Sequence, residues 1–180
     1  MKKLLVVVDY QNDFVVGALG FEGADQLEPG ILSEVETVLE QGGFVLFTRD
    51  THPQTYLETR EGKHLPIEHC IAETKGHALF GRLHRYEENP VPHVSVIDKP
   101  TFGSPDIAEK ARELCGGEPD QIALCGLVTD ICVIANAIIL HSHFPLAEVS
   151  VIESLVGSGN EENAGASLRI LQGMGIEVRG

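Results

Sequence analysis

The sequence predicts an α/β fold of three layers, in which a doubly wound, Rossmann-like, mostly parallel sheet of six strands lies between helices. Short apolar runs rich in β-branched residues alternate with segments of helical periodicity along the whole chain. The runs are apolar without alternation, as in strands that are covered on both faces. The 180 residues are enough for one domain, residues 1–180, and too few for two ordinary ones.

The first predicted strand, KLLVVVD at residues 3–9, shows this pattern most clearly, because five consecutive apolar residues precede Asp9. Further runs of the same kind follow it along the chain. They occupy residues 44–50, 93–99, 121–126, 147–153 and 176–180. Strands that are separated by helices of this length pair in parallel.

Several segments between the strands are predicted to be helices. Residues 26–43 carry apolar side chains at helical spacing, such as Ile31 and Val35, and a pair of glycines ends the segment. The other predicted helices are residues 105–115, the segment from Thr129 onward, and residues 161–175. The long stretch between Asp50 and His93 is rich in His, Pro and charge, and such long loops in a compact domain are usually functional.

Composition and charge argue against nucleic acid as a partner and against a membrane-spanning segment. The formal net charge of −14 argues against nucleic acid, because that partner requires clustered Lys and Arg. No run of about 18 apolar residues is present, so no membrane span is expected. The opening MKKLLVVVDY imitates a signal peptide, but Asp9 interrupts its apolar run and no small-residue cleavage site follows. We therefore expect a cytoplasmic protein with reduced cysteines.

Reactive side chains follow the predicted strands at their carboxyl ends. In open α/β sheets the active site lies outside this edge. Asp9 ends the first strand, Asp50 the second and Lys99 the third, and the turn from Gly126 to Cys132 follows the fourth. Two acids, a lysine and a cysteine are therefore expected to share one edge of the sheet.

Cys132 has two interpretations. Most free cysteines are small buried hydrophobic residues, and we assign that structural role to Cys70, Cys115 and Cys125. With Thr129 as N-cap, however, Cys132 would lie in the first turn of a helix, where free backbone N–H groups favour a thiolate.

The neighbours expected at the same edge favour the chemical interpretation. Lys99 would lower the pKa of the Cys132 thiol further, and Asp9 could accept the thiol proton. The N–H groups at the helix start could bind the oxyanion that forms when an acyl group is attacked. Together these residues form a coherent acyl-transfer site.

Five short motifs follow one another along nearly the whole chain. They are VVVDYQNDF with Asp9 and Phe14, DTHP with Asp50 and His52, PIEHC with His69, DKPTFGS with Lys99 and Phe102, and GLVTDICV with Cys132. In this order they resemble the isochorismatase-like cysteine hydrolases, the superfamily of nicotinamidases and isochorismatases. Each motif is weak alone, but the ordered set is specific.

The resemblance implies a catalytic triad of Asp9, Lys99 and Cys132. It also implies a cis peptide bond before Val128, with the amides of Val128 and Cys132 as the oxyanion hole. It implies no organic cofactor.

The nicotinamidase branch of this superfamily adds a divalent metal. A D-x-H pair and a later histidine bind it there, and these correspond to Asp50, His52 and His69 in this chain. Mixed carboxylate and imidazole ligands suit Zn, Mn or Fe(II). A fourth protein ligand is variable in that branch. The candidates for it here are Glu58, Glu61 and His64, among which the spacing does not choose.

The pocket residues depart from the nicotinamidase pattern. Nicotinamidases often carry a tryptophan just before the Pro-x-His-Cys turn, whereas this chain has no Trp and Leu65 stands near that place. We expect Leu65, Phe14 and Phe102 to contact the substrate. The pocket could therefore accept a substrate other than nicotinamide.

The expected function is hydrolysis of a small carboxamide, with nicotinamide to nicotinate plus ammonia through a thioacyl-enzyme as the best single choice. One alternative is another isochorismatase-like hydrolase with a non-pyridine substrate. A second is a non-catalytic member that acts as a binding or scaffold subunit. We also expect a homo-oligomer, because the helix after Cys132 is apolar enough to serve a subunit interface.

Overall fold

The computed structural model describes residues 1–180 and contains one sheet of six strands in the order β3-β2-β1-β4-β5-β6. The strands are β1 (Lys3–Val8), β2 (Phe44–Asp50), β3 (Val94–Lys99), β4 (Gln121–Leu127), β5 (Glu148–Gly157) and β6 (Glu177–Arg179). Every neighbouring pair is parallel. The predicted doubly wound α/β fold is confirmed, and the sheet is parallel throughout.

β5 differs most from its predicted bounds, because it continues to Gly157 instead of ending at residue 153. The apolar pattern breaks at Glu153 and Ser154, which are exposed, and this break is why the sequence indicates an earlier end. The register between β4 and β5 shifts between Leu124 and Gly126, and beyond this irregularity the two strands pair again.

Seven helices connect the strands. They are α1 (Asn12–Val15), α2 (Glu28–Glu40), α3 (Arg60–His64), α4 (Arg85–Glu88), α5 (Ile107–Cys115), α6 (Ile134–His143) and α7 (Glu161–Gly173). The helices α2, α5 and α7 lie within the segments predicted for them. The short helices α1, α3 and α4 carry too few residues for a periodic pattern to show in the sequence.

β1 shows why the strands are apolar without alternation. Leu4, Val6 and Val8 project into a core shared with α5, α6 and α7, whereas Leu5 and Val7 project into a second core shared with α2. Each of the two cores contains 19 buried residues. Because both faces of the sheet are covered, neither set of alternate positions can be polar without a partner.

The strand order places the site. β1 lies between β2 and β4, so successive connections leave it in opposite directions, and ligands bind beyond the carboxyl ends at such a switch point. The long segment between β2 and β3 packs against this edge through a single bridge from Gln11 to Leu79, and a second bridge, from His52 to Ile71, joins two parts of the segment itself. None of the helices combines the length and hydropathy that a membrane-spanning segment requires.

Gly126 lets β4 approach β1 at the switch point. Its φ is +104°, and a Cβ atom there would lie 2.1 Å from the carbonyl oxygen of Val8. Val8 ends β1 directly before Asp9, so this close approach helps to fix where the first site residue lies.

We predict that Gly126→Ala lowers the free energy of unfolding by more than about 1 kcal/mol, because the backbone conformation and the contact with Val8 both exclude a side chain. Urea unfolding measures the change. The matched control is Gly173→Ala at the end of α7, where nothing lies within 4 Å of the added Cβ. That variant should be as stable as the parent or slightly more stable. Equal unfolding midpoints for the two variants would contradict the prediction.

Candidate active site

Asp9, Lys99 and Cys132 meet at the carboxyl edge of the sheet. Lys99 is the last residue of β3, and its Nζ lies 2.7 Å from Oδ2 of Asp9 and 3.6 Å from Sγ of Cys132. All three side chains are buried. The structure therefore brings together the three residues that the sequence singled out for catalysis.

Asp9 reaches this position because the chain turns sharply after β1. Its φ is +44°, a left-handed conformation that Asp tolerates better than most residues. The hydroxyl of Thr48 donates to Oδ1 of Asp9 at 2.6 Å, and the Asp9 amide donates back to the Thr48 hydroxyl. Thr48 was not among the predicted site residues, although a threonine in the apolar run FVLFTRD is a polar side chain at a buried position and indicates such a partner.

Burial and neighbouring charges act in opposite directions on the pKa values of Lys99 and Asp9. Burial lowers the pKa of Lys99, but the charges of Asp9, Cys132 and Asp50 outweigh it and hold the pKa well above its usual value. Burial likewise raises the pKa of Asp9, with Lys99 acting in the opposite direction. Lys99 is therefore the permanent cation of the site.

The sequence led us to expect a lowered pKa for the Cys132 thiol, whereas burial shifts that pKa in the opposite direction. Burial raises the pKa of the Cys132 thiol well above its usual value, more than the charge of Lys99 lowers it, and Asp9 and Asp50 raise it further. The thiol and the carboxylate of Asp9 both contact the Lys99 ammonium group. That arrangement favours removal of the thiol proton during attack, with Asp9 as acceptor.

Cys132 also lies in a different local structure from the one predicted. A five-residue π-helical turn, Thr129–Val133, precedes α6, and the amide of Val133 donates to the carbonyl of Val128 at 3.1 Å. Thr129 is not the N-cap, since its buried hydroxyl contacts no hydrogen-bond partner. Wide turns of this kind are frequent at functional sites.

The backbone beside Cys132 has the form that the resemblance implies. The peptide bond between Leu127 and Val128 is cis. The amide of Val128 donates no hydrogen bond within the chain, and Val128 lines the same cavity as Cys132.

Four side chains beside this group could hold a metal ion. They are Asp50, His52, Glu61 and His69, whose ligand atoms all lie within 4.8 Å of one another. The Nε2 atom of His52 lies 2.8 Å from Oδ2 of Asp50 and 3.3 Å from Oε1 of Glu61, and Nε2 of His69 lies 3.3 Å from Oδ2 of Asp50. The three predicted ligands are therefore adjacent.

Of the three candidates for a fourth ligand, only Glu61 lies in this group. Glu58 and His64 are exposed and lie outside it. Oε1 of Glu61 is buried and accepts no hydrogen bond of good geometry, and Nε2 of His52 at 3.3 Å faces it, as one metal ligand faces another. Nδ1 of His69 donates to the carbonyl of Ile67 at 2.8 Å, which orients the ring so that its Nε2 faces Asp50. The donor set fits a divalent metal.

The charges in this group favour a cation. Burial lowers the pKa of His52, but Asp50 and Glu61 outweigh it and raise the pKa to about 9. Burial raises the pKa of Asp50, but hydrogen bonds from His52 and His69, with the charge of Lys99, outweigh it and lower the pKa. The negative charges of Asp50 and Glu61 stabilise a proton on His52, and the same charges would attract a metal ion.

Asp50 belongs to both groups of side chains. Its Oδ1 accepts from Nζ of Lys99 at 3.0 Å, and its Oδ2 faces His52 and His69. Asp50 is also the register partner of Lys99 in the pairing of β2 with β3.

A cavity of about 370 Å³ opens onto Cys132, Asp50 and His69. Its other lining residues are Phe14, Ala18, Leu19, Gly20, Phe21, Leu65, Phe102, Val128, Ile131 and Gly159. All three residues predicted to contact the substrate are among them. Neither Lys nor Arg lines the cavity. Two other depressions, of about 400 and 570 Å³, contain none of the site residues.

The comparisons with known proteins identify the family. The family model described as the isochorismatase domain matches residues 3–180. The chain belongs to the isochorismatase family.

Relatives and solved structures agree with this assignment. This isochorismatase-family protein is 33% identical over 150 residues to an uncharacterized isochorismatase family protein, PncA, of Bacillus subtilis (strain 168), covering 77% of this chain and 78% of the relative. The crystal structure of nicotinamidase PncA from Bacillus subtilis matches with a TM-score of 0.87 and 30% identity over 100% of both chains. The pyrazinamidase of Pyrococcus horikoshii in complex with zinc matches with a TM-score of 0.83 and 25% identity, covering 99% and 98% of the two chains.

These findings confirm the resemblance drawn from the motifs. The chain is an isochorismatase-family hydrolase, and its structural neighbours lie near the nicotinamidase branch.

We predict that Lys99→Met lowers the free energy of unfolding by about 3–5 kcal/mol near neutral pH, because it leaves Asp9 and Asp50 buried without their cation. Burial raises the pKa of Asp9 above its unfolded value. The variant should therefore regain stability as the pH falls, since stability linked to a raised pKa is present at low pH and lost as the pH rises through it.

Urea unfolding at neutral and at mildly acidic pH measures both effects. The control is Lys110→Met, which removes an exposed lysine paired with Glu113 and should leave the unfolding midpoint unchanged. A Lys99→Met protein as stable as this control at neutral pH would show that the buried charges are not coupled as described.

Proposed function

We propose that this protein hydrolyses a small neutral carboxamide, with nicotinamide to nicotinate plus ammonia as the best single choice. The observation that carries the proposal is one cavity that is lined by the thiol of Cys132 and by Asp50 and His69 of the candidate metal group. Behind its wall, the thiol contacts the lysine of a buried lysine–carboxylate pair. The structural likeness to nicotinamidase PncA of Bacillus subtilis supports the choice of substrate.

Acylation would begin with Cys132. Its Sγ attacks the carboxamide carbon while the carboxylate of Asp9 takes the thiol proton. The carbonyl oxygen becomes an oxyanion that the amides of Val128 and Cys132 bind. Collapse breaks the carbon–nitrogen bond, Asp9 returns the proton to the leaving nitrogen, and ammonia departs from a thioester on Cys132.

Deacylation would use the same groups. Asp9 takes a proton from a water molecule that attacks the thioester carbon, and the oxyanion forms again in the same place. Collapse releases the acid and returns the proton to Sγ. Lys99 stays protonated throughout and compensates the charge that moves between Asp9 and Cys132.

Asp50, His52, Glu61 and His69 would hold the divalent metal. When bound, the ion supplies a Lewis-acid anchor for a heteroaromatic nitrogen of the substrate. Phe14 and Leu65 would pack against the ring, and Phe14 is already in edge contact with His69. The crystal structure of the Pyrococcus horikoshii pyrazinamidase in complex with zinc supports a divalent metal in this protein.

The second candidate is another amide hydrolase of the family with a non-pyridine substrate. Leu65 at a place where nicotinamidases often carry a tryptophan favours it, since a smaller wall leaves more room. The cavity lining disfavours acidic substrates, because a substrate carboxylate would be buried there without a Lys or Arg side chain to pair with it.

The complete burial of Lys99 argues against a non-catalytic scaffold. A buried ion pair is often no more stabilising than apolar residues of similar volume. A scaffold would therefore gain nothing from a fully buried lysine with two carboxylates around it.

We further propose a homo-oligomer in the cytoplasm. Partly exposed isoleucines of α6, such as Ile134 and Ile138, support an interface, and four free buried cysteines support a reducing compartment. Sedimentation of the purified protein as a monomer would contradict the first of these proposals.

We predict that Cys132→Ala abolishes turnover and leaves the melting temperature nearly unchanged, because the change removes one buried sulfur. Cys132→Ser should be almost as inactive, since a hydroxyl is a much weaker acid than a thiol. Cys115→Ala, which removes a buried thiol from the end of α5, is the control and should keep full activity. Turnover by Cys132→Ala would refute the nucleophile assignment.

We predict that nicotinamide hydrolysis, measured by ammonia release, falls on chelation and returns when Zn, Mn or Fe(II) is added. His52→Ala and His69→Ala should raise KM more than they change alkylation of Cys132 by iodoacetamide, because they act on the ring anchor rather than on the thiol.

An amide that carries a carboxylate, such as succinamate, is the matched control substrate and should be a poor one. Rapid hydrolysis of nicotinamide that ignores chelators would contradict the metal assignment. Rapid hydrolysis of succinamate, with none of nicotinamide, would favour the second candidate.

A further inference from the structure

The side chain of Gln11 is fully buried and hydrogen-bonds only to main-chain groups. Its Oε1 accepts from the amide of Asp50 at 2.7 Å. Its Nε2 donates to the carbonyl of Asp50 at 2.9 Å and to the carbonyl of His77 at 2.7 Å. One carboxamide thus satisfies both main-chain groups of a residue that belongs to the metal group and also contacts Lys99.

These bonds occur where the pairing between β1 and β2 stops. The ladder ends with Val8 opposite Thr48, followed by the Asp9 amide, which donates to the carbonyl of Thr48 at 3.1 Å. In a regular parallel ladder the Asp50 amide would next donate to the carbonyl of Asp9, and the Gln11 amide to the carbonyl of Asp50.

Neither of those two bonds forms. The amide of Gln11 donates instead to the carbonyl of Asp9 at 2.8 Å, so the two main-chain groups after β1 that would have paired with Asp50 pair with each other. The carboxamide of Gln11 has one carbonyl acceptor and an amide donor, as a peptide group does, and it occupies both of the vacated places.

Because the Gln11 side chain replaces the missing strand pairing, two structural requirements are met together. Asp9 must leave the extended conformation, with φ at +44°, for its carboxylate to reach Nζ of Lys99. Asp50 must stay extended opposite Lys99 for its carboxylate to lie between that lysine and His52. Without Gln11, the turn at Asp9 would leave the amide and carbonyl of Asp50 buried and unpaired.

We infer that Gln11 is a positioning residue that takes the place of strand β1 beside Asp50 and thereby holds that carboxylate for both the metal group and Lys99. Its effect on turnover rests on the proposed function. Its effect on the geometry of Asp50 does not, and the two can be measured apart.

The test compares Gln11→Met, which keeps the length and loses all three hydrogen bonds, with Gln11→Glu, which keeps only the acceptor for the Asp50 amide. The control is Leu171→Ala, a core truncation in α7 on the opposite side of the sheet from α2. Three readouts need no substrate: hydrogen exchange of the Asp50 amide, competition between protein and chelator for Zn, and iodoacetamide alkylation of Cys132 in the metal-free protein.

We expect Gln11→Met to speed exchange of the Asp50 amide and to weaken Zn binding about 10- to 100-fold, as loss of outer-shell partners typically does. Gln11→Glu should keep more of the amide's protection than Gln11→Met and still lose Zn affinity. The alkylation rate of Cys132 should change with both variants, since Lys99 shares Asp50. Leu171→Ala should lower the melting temperature, speed exchange of the buried strand amides alike and leave the Zn affinity at its parental value.

Parental Zn affinity in Gln11→Met despite faster exchange at Asp50 would overturn the inference, because Gln11 would then only close the sheet edge. Loss of Zn affinity in Leu171→Ala to the same extent would also overturn it, because the effect would follow stability alone. If the parent protein hydrolyses no amide while these readouts behave as expected, the proposed function fails and the positioning role stands. If Gln11→Met does not fold, the Gln11→Glu comparison decides by the same criteria.

Discussion

The site depends on the ion pairs that the ammonium group of Lys99 forms with two carboxylates. The ammonium group is fully buried and lies within 3.0 Å of carboxylate oxygens from both Asp9 and Asp50. Two buried carboxylates this close to each other would repel strongly, so their joint ionisation requires the cation between them. Sγ of Cys132 lies 3.6 Å from the same nitrogen, so the charge that stabilises the fold locally also faces the reacting atom.

The sheet topology is what delivers these groups to one place. Asp9, Asp50 and Lys99 stand at the carboxyl ends of β1, β2 and β3, which are neighbours in the sheet. The register of β2 with β3 sets Asp50 directly beside Lys99. Cys132 comes from the far side of the switch point, where Gly126 lets β4 close against β1.

The sequence predicted this much because buried parallel strands are visible as continuous apolar runs, and the residue after each run marks an edge. It could not predict that burial raises the pKa of Cys132, since depth of burial depends on the packing of the whole edge. It predicted a helix from Thr129 because apolar periodicity does not distinguish a π turn from an α turn. Gln11 was missed for a similar reason, since its role follows only from the left-handed turn at Asp9.

Glu61 is the member of the candidate metal group that a short helix in a loop positions, rather than the sheet. It lies in α3, a five-residue helix whose N-cap, Thr59, accepts a hydrogen bond from the amide of Gly62. A Cβ at Gly62 would lie 2.1 Å from the carbonyl oxygen of Tyr56, so the turn packs too closely for a side chain at that position. The candidate metal group therefore combines two parts with different origins, Asp50 from the sheet and Glu61 from a tight loop. Because Asp50 alone also contacts Lys99, a disturbance of the loop should reach the thiol only through that carboxylate, whereas a disturbance of Asp50 affects both halves of the site.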